Sequence, residues 1–203
     1  MSSDSAPIDL GTSETAPSLP VPPAARDRIL TVAGRLFYHD GYRAIGVDRV
    51  IAEADVAKAT FYKHFPSKDA LIVAWIERAE AASLKSAVPM EGPHPLTDYA
   101  LRMIEIAGRP TCMGCTYQAS AAEFGATDHP AHRAALGVKR RVLDDLEARA
   151  IAQGLAPARE GAEAVFLFLE GIWATRRMFG PDAPLDNAPR AVQALIASFG
   201  GIS

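Results

Sequence analysis

From Ala24 onward, apolar residues recur at the interval of a helix. Ile29, Ala33, Leu36 and Phe37 share one side of a segment whose remaining positions are charged or polar, which predicts a helix running to about Asp40. Gly41 stops it, because glycine readily takes the left-handed conformation that ends helices. Val47, Val50, Ile51 and Ala54 mark one face of a short second helix, Asp55 and Val56 fill a turn, and a third helix spans Lys58 to Phe65. Pro66 and Ser67 interrupt the pattern, with Ser67 suited to cap a fourth helix that carries Leu71, Ile72, Trp75 and Ile76. Beyond a Pro- and Gly-rich stretch from Val88 to Pro95, further helices are predicted near Leu96–Ala107, Tyr117–Phe124, Ala131–Gln153, Ala158–Phe179 and Ala188–Phe199. No segment alternates in the manner of a strand. The expected architecture is all-α: a small unit of three short helices followed by a larger helical body.

Residues 1–23 contain three acids, no Lys or Arg and no apolar period, which predicts a disordered arm. Its acidity makes it a poor groove-binding arm. The expected division is therefore an arm at 1–23, a small unit at 24–70 and a body at 71–203. Hydrophobic residues at 49% and charged residues at 22% fit a folded chain and exclude a wholly disordered one. The net charge of −3 hides an uneven distribution. Arg26 to Ala70 holds eight Lys and Arg against six Asp and Glu, and the other residues hold thirteen against eighteen, so the small unit is the cationic one. No apolar run approaches the ~18 residues of a membrane span, and the N-terminus lacks a basic segment followed by an apolar one. A cytoplasmic protein with no membrane partner is expected.

On the third helix, Phe61 and Phe65 stand on one face while Lys58, Tyr62 and Lys63 fall on the other. A helix this short, apolar behind and cationic in front, suits a major groove about 12 Å wide. Lys68, in the first turn of the fourth helix, opposes the helix dipole, and an external phosphate is a fitting partner. Tyr42 and Arg43, just before the second helix, are similarly placed for phosphate.

The block from Arg28 to Leu71 resembles the tetracycline-repressor (TetR) family, with Gly41, Tyr42, Phe61, Tyr62, Phe65 and Lys68 matching its signature in order. The resemblance implies a helix-turn-helix over roughly Val47 to Phe65. It also implies a homodimer that binds double-stranded DNA at a palindromic operator, and a repressor released by a small, largely apolar effector. On the same basis Lys58, Ala59 and Thr60 face base edges or nearby sugar-phosphate, and Tyr62, Lys63 and His64 contact phosphate. The sequence departs from the family where Ser or Thr often caps the second and third helices, since Gly46 and Ala57 stand there, and where the turn usually has glycine, since Asp55 stands there. A lost cap costs ~1 kcal/mol, and glycine only a few tenths.

In the body, the run from Ala162 to Ala174 is apolar almost all round, and Val192, Leu195, Ile196 and Phe199 repeat at helical spacing. The family's last two helices meet as a four-helix bundle, so Phe168, Ile172, Val192, Leu195, Ile196 and Phe199 are expected at a dimer interface; ordinary intrachain core is the other reading. Met and aromatic residues suit an adaptable effector pocket, here Tyr99, Met103, Met113, Tyr117, Phe124, Trp173 and Met178. Cys112 and Cys115, with His129 and His132, open an alternative: a metal- or thiol-responsive regulator on the same scaffold. The spacing of the two histidines falls short of the usual zinc pattern, and His129-Pro130 reads equally as a helix start. An all-α enzyme is the remaining rival, but no nucleophile elbow, phosphate loop or HExxH motif supports it, and no cofactor is expected.

Overall fold

A computed structural model describes residues 24–85 and 88–200. The expected arm at 1–23 lies outside them. The described residues fold into α1 (Ala25–Asp40), α2 (Val47–Glu53), α3 (Lys58–His64), α4 (Lys68–Lys85), α5 (Pro95–Gly108), α6 (Thr116–Glu123), α7 (Pro130–Ala152), α8 (Ala158–Phe179) and α9 (Ala188–Ala197), with a 3₁₀ turn at Gly180–Asp182. Among the described residues there is no strand, and the all-α expectation holds element by element.

Local chemistry sets the boundaries. α1 ends where Gly41 adopts φ +88°. α2 and α3 start at Gly46 and Ala57 without a side-chain cap. Between them Asp55 takes φ +50°, the left-handed geometry that Asp tolerates better than most residues. Arg28 of α1 secures this turn, donating from Nε to the Ala54 carbonyl at 3.3 Å and from Nη2 to the Asp55 carbonyl at 3.2 Å. The Ser67 hydroxyl accepts from the Ala70 N–H at 3.0 Å, as an N-cap should. His129 caps α7 through Nδ1, which accepts from the Ala131 N–H at 3.2 Å.

Two apolar cores organise these helices. The first joins Ile29, Leu30, Phe37 and Tyr42 to Val50, Phe61, Phe65, Leu71 and Ile76, and it continues into Phe124, Ala131, Ala135 and Val138. The second gathers Leu96, Ile104, Leu146, Val165, Leu169, Val192 and Ile196 from α5, α7, α8 and α9. α7 therefore runs through both: its first half packs against the N-terminal helices and its second half against the body. The expected boundary at Ala70 is not a break in packing, because Leu71 and Ile72 of α4 belong to the first core. α1 and α4 cross closely at Gly34, where a Cβ would lie 2.2 Å from the Trp75 ring.

Candidate nucleic-acid interface

α3 is held from behind by two buried aromatic rings. Phe61 and Phe65, with centroids 6.0 Å apart, sink into the first core. That fixes the opposite face outward: Lys58, Ala59, Tyr62 and Lys63 are exposed, and Thr60 and His64 are half-buried at its margins. Lys58 pairs with Asp48 of α2 at 3.3 Å, but both side chains are well exposed, so the pair is weak and its ammonium can be exchanged for an external anion. Six of the nine predicted contact residues thus lie on one continuous patch.

The other three are differently engaged. Tyr42, expected at phosphate, is fully buried, with its hydroxyl hydrogen-bonded to the Thr116 carbonyl at 3.1 Å and to the Thr116 Oγ1 at 2.6 Å. Burial pushes its phenol up to about 12. Its hydroxyl faces α6 and not the surface, because its ring stacks on Phe37 inside the core at 5.1 Å. Arg43 is exposed, but its Nε donates to the Glu123 carbonyl at 2.7 Å and its guanidinium lies 5.3 Å from the Phe124 ring. Lys68 donates to the Arg43 carbonyl at 3.1 Å, and partial burial lowers its pKa.

These contacts form a latch that the sequence did not reveal. The Glu123 carboxylate, at the end of α6, accepts from the Tyr42 N–H at 2.9 Å and from the Arg43 N–H at 2.6 Å. A carboxylate therefore fills the anion-binding turn before α2. A second tie joins α1 to the segment leading into α6: the Tyr38 hydroxyl donates to the Gly114 carbonyl at 3.1 Å and accepts from the Met113 N–H at 2.7 Å. Both contacts pair residues far apart in sequence, and neither leaves a periodic signal.

The residues predicted for the effector do not gather. Tyr99, Met103 and Trp173 pack against the second core, Tyr117 and Phe124 belong to the first, Met113 is tied to Tyr38, and Met178 is 80% exposed. The helical body has two apolar regions, so Met and aromatic residues divide between them. Of the seven, Tyr117 lines a cleft between α6, α7 and α8. Cys112 and Cys115 are buried free thiols. His132 Nδ1 is engaged with the Phe124 carbonyl at 2.9 Å and His129 stacks on the Phe124 ring at 4.2 Å. Among the described residues no three His, Cys, Asp or Glu side chains are grouped so as to hold a metal ion.

Of the six residues expected at a dimer interface, three turn inward and three stay half-buried. Ile172, Val192 and Ile196 are buried in the second core, with Phe168, Leu195 and Phe199 packed against it. α8 is apolar on two faces, and the uncovered one is Leu167, Gly171, Ala174 and Met178. Leu167 is 69% exposed, and nothing lies within 4 Å of the position a Gly171 Cβ would take.

A short helix with an apolar back seated on α1 and α2, and a cationic, aromatic front turned to solvent, defines the unit as a helix-turn-helix. Residues 29–75 match the family described as bacterial regulatory proteins, tetR family. The chain is 34% identical over 80 residues to the HTH-type transcriptional regulator UidR of Escherichia coli strain K12. That match covers 39% of this chain and 40% of the relative, so the chain spans well under half the length of the curated relatives it matches. A TetR-type transcriptional regulator from Streptomyces avermitilis is 28% identical with a TM-score of 0.78, covering 89% of this chain and 100% of that one. One from Streptomyces coelicolor gives the same identity and score over 86% of this chain and 95% of its own. Residues 29–75 therefore carry the match to the tetR family, and the remainder of the chain is similar in fold to regulators of that type.

Proposed function

We propose that this chain is a homodimeric, DNA-binding transcriptional regulator that represses from a palindromic operator and is released by a small effector. The observation that carries this reading is the outward face of α3, where Lys58, Ala59, Tyr62 and Lys63 project from a helix anchored by Phe61 and Phe65. Lys58, Ala59 and Thr60 read bases or adjacent sugar, while Tyr62, Lys63 and His64 hold phosphate. Arg43 and Lys68 flank this surface and Tyr42 stabilises it from inside. DNA binding belongs to residues 24–70, and effector binding and dimerisation belong to 71–203.

A protein of this kind works in the cytoplasm, where its DNA is; no helix of the described residues is long and apolar enough to cross a membrane. The subunits pair through the exposed seam of α8, Leu167, Gly171, Ala174 and Met178, whose spacing of four, three and four residues is that of helices packed at a shallow angle. Two recognition helices would then address half-sites about 34–36 Å apart or somewhat further. The regulatory reading is favoured over an enzyme by the related transcriptional regulators and by the α3 surface.

Selection of bound duplexes from a random pool tests the proposal. The expected product is a palindrome whose affinity falls steeply with salt. Recovery of no preferred sequence would overturn it.

A further inference from the structure

α6, α7 and α8 enclose a cleft of about 140 Å³ lined by Tyr117, Gln118, His132, Leu136, Lys139 and Glu170. Glu170 is its hub. One carboxylate oxygen is paired with the Lys139 ammonium, and the other accepts from Gln118 Nε2 at 2.8 Å. Gln118 Nε2 also reaches the Glu170 carbonyl, at 3.0 Å, which fixes the glutamine against α8. The same ammonium lies 5.7 Å from the centroid of the Tyr117 ring and 5.9 Å from that of Phe166. One carboxylate and two aromatic rings therefore converge on a single positive centre. The side chains of Lys139 and Glu170 are only 17% and 23% exposed.

This is the environment that recognises alkylated ammonium groups: rings offer their negative faces, and a carboxylate supplies the counter-charge. The positive centre there is the chain's own, carried on a flexible four-carbon stem that can move to solvent. A mostly buried carboxylate is costly to leave unpaired, and replacing one ammonium by another on Glu170 keeps it paired, so the exchange is nearly neutral in electrostatic terms. We propose that this cleft binds a small organic ammonium, which replaces Lys139 between Glu170, Tyr117 and Phe166, with the lysine acting as a tethered competitor.

The other ligand classes fit less well. An anion would have to win Lys139 from a carboxylate already in contact with it, and would then sit beside that carboxylate. A divalent metal needs several oxygen ligands, and Glu170 is the single acid lining the cleft. The volume is below the roughly 300–1,000 Å³ of pockets for drug-sized molecules, which limits the ligand to a few carbons around the nitrogen. The inference rests on the effector reading above and gives that effector a chemical class. Its route to α3 is short, because Tyr117 and Gln118 belong to the helix whose end carries Glu123, the residue latched onto the Tyr42 and Arg43 amides.

Calorimetric titration of the full chain without DNA tests the site. The probes are tetramethylammonium chloride, tert-butanol as its uncharged counterpart and trimethylacetate as its anionic one, at constant ionic strength. Tetramethylammonium alone should bind. Lys139→Met vacates the position and should tighten binding by about tenfold or more, since a competitor that occupies a site most of the time reduces apparent affinity by that fraction. Adding Glu170→Gln to that variant should abolish binding. If Lys139→Met fails to fold, Lys139→Gln carries the same comparison. Unchanged affinity on removing the lysine, or equal binding of tert-butanol or trimethylacetate, overturns the proposal. A second arm adds the selected duplex: tetramethylammonium that binds without releasing DNA overturns the site's role as effector site, whereas failure to select any duplex overturns the regulatory reading and leaves the calorimetric result standing.

Discussion

Asp55 has a backbone conformation that glycine would take at no steric cost, and its surroundings make the conformation compulsory. Its φ of +50° is needed to turn the chain between α2 and α3, while Arg28 holds the carbonyls of Ala54 and Asp55 from behind. Asp55→Ala is expected to lower stability in urea by ~1 kcal/mol, because alanine lacks the local hydrogen bonding that eases left-handed geometry, and Asp55→Gly to match or exceed the parent. Lys63 is a different case, since its ammonium projects to solvent from the front of α3. Lys63→Ala should weaken binding to all duplexes alike and reduce the salt slope by about 1, whereas changes at Lys58 or Ala59 should alter which sequence is preferred. Tyr42 supplies a pH dependence. Burial first, opposed by its bond to Thr116, raises its phenol from 10.0 to about 12. The folded chain therefore keeps a proton that the unfolded chain loses. The stability this contributes is complete below pH 10 and is lost as pH rises through about 12. Tyr38 and Tyr99 are also raised to about 12 by burial and act in the same direction. Denaturation midpoints should fall from about pH 10 upward, and less steeply in Tyr42→Phe; a midpoint level to pH 12 would refute this.

At the scale of elements, α6 is the junction. Its start is bonded to Tyr42 through Thr116, and its end grips the Tyr42 and Arg43 amides through Glu123. Glu123→Ala removes a charged acceptor from two amides at once and should lower stability by about 1–3 kcal/mol. It should also leave α3 intact, so operator binding survives while its response to effector shrinks, as measured by duplex binding with and without ligand. Loss of all duplex binding in a folded Glu123→Ala chain would instead give the latch a direct part in recognition. The helices were legible from the sequence because each has its own signal: the apolar period of Ile29 to Phe37, the stop at Gly41, the cap at Ser67. The α3 patch was legible for the same reason, since one short helix fixes which residues share a face. The latch was not, because Glu123 lies some eighty residues from its partners and a lone glutamate at a helix end has many uses. Tyr42 departs from its expected place: beside Arg43 before α2 its position in the sequence points to phosphate, whereas stacking on Phe37 draws its ring inside.

For the whole molecule, the proposed dimer raises the question of which face of α8 would meet a second copy. The interface expected at Phe168, Ile172, Val192, Leu195, Ile196 and Phe199 rests on apolar periodicity and on the resemblance, but a periodic stripe identifies a buried face without saying which partner buries it. In the folded chain Ile172, Val192 and Ile196 are 8%, 0% and 3% exposed, closed off by α5 and the remainder of the second core, while Phe168, Leu195 and Phe199 stay half-buried against it. The face still open carries Leu167 and Met178 around Gly171 and Ala174, and small residues in mid-seam let helix axes approach closely. The two faces predict opposite outcomes. Val192→Ala opens a cavity inside one subunit and should cost about 2 kcal/mol of stability with little effect on the dimer constant. Leu167→Glu touches nothing in the subunit core, so each chain should fold as before, yet two carboxylates would be forced together across the seam. Sedimentation equilibrium should then find monomers at concentrations where the parent is dimeric. Affinity for the full palindrome should fall to that of a half-site, because two recognition helices tied together bind the second half-site at high effective concentration and separate chains do not. Should Leu167→Glu remain dimeric with unchanged operator affinity, the subunits must meet through some other surface, and the exposed seam of α8 would lose its assignment.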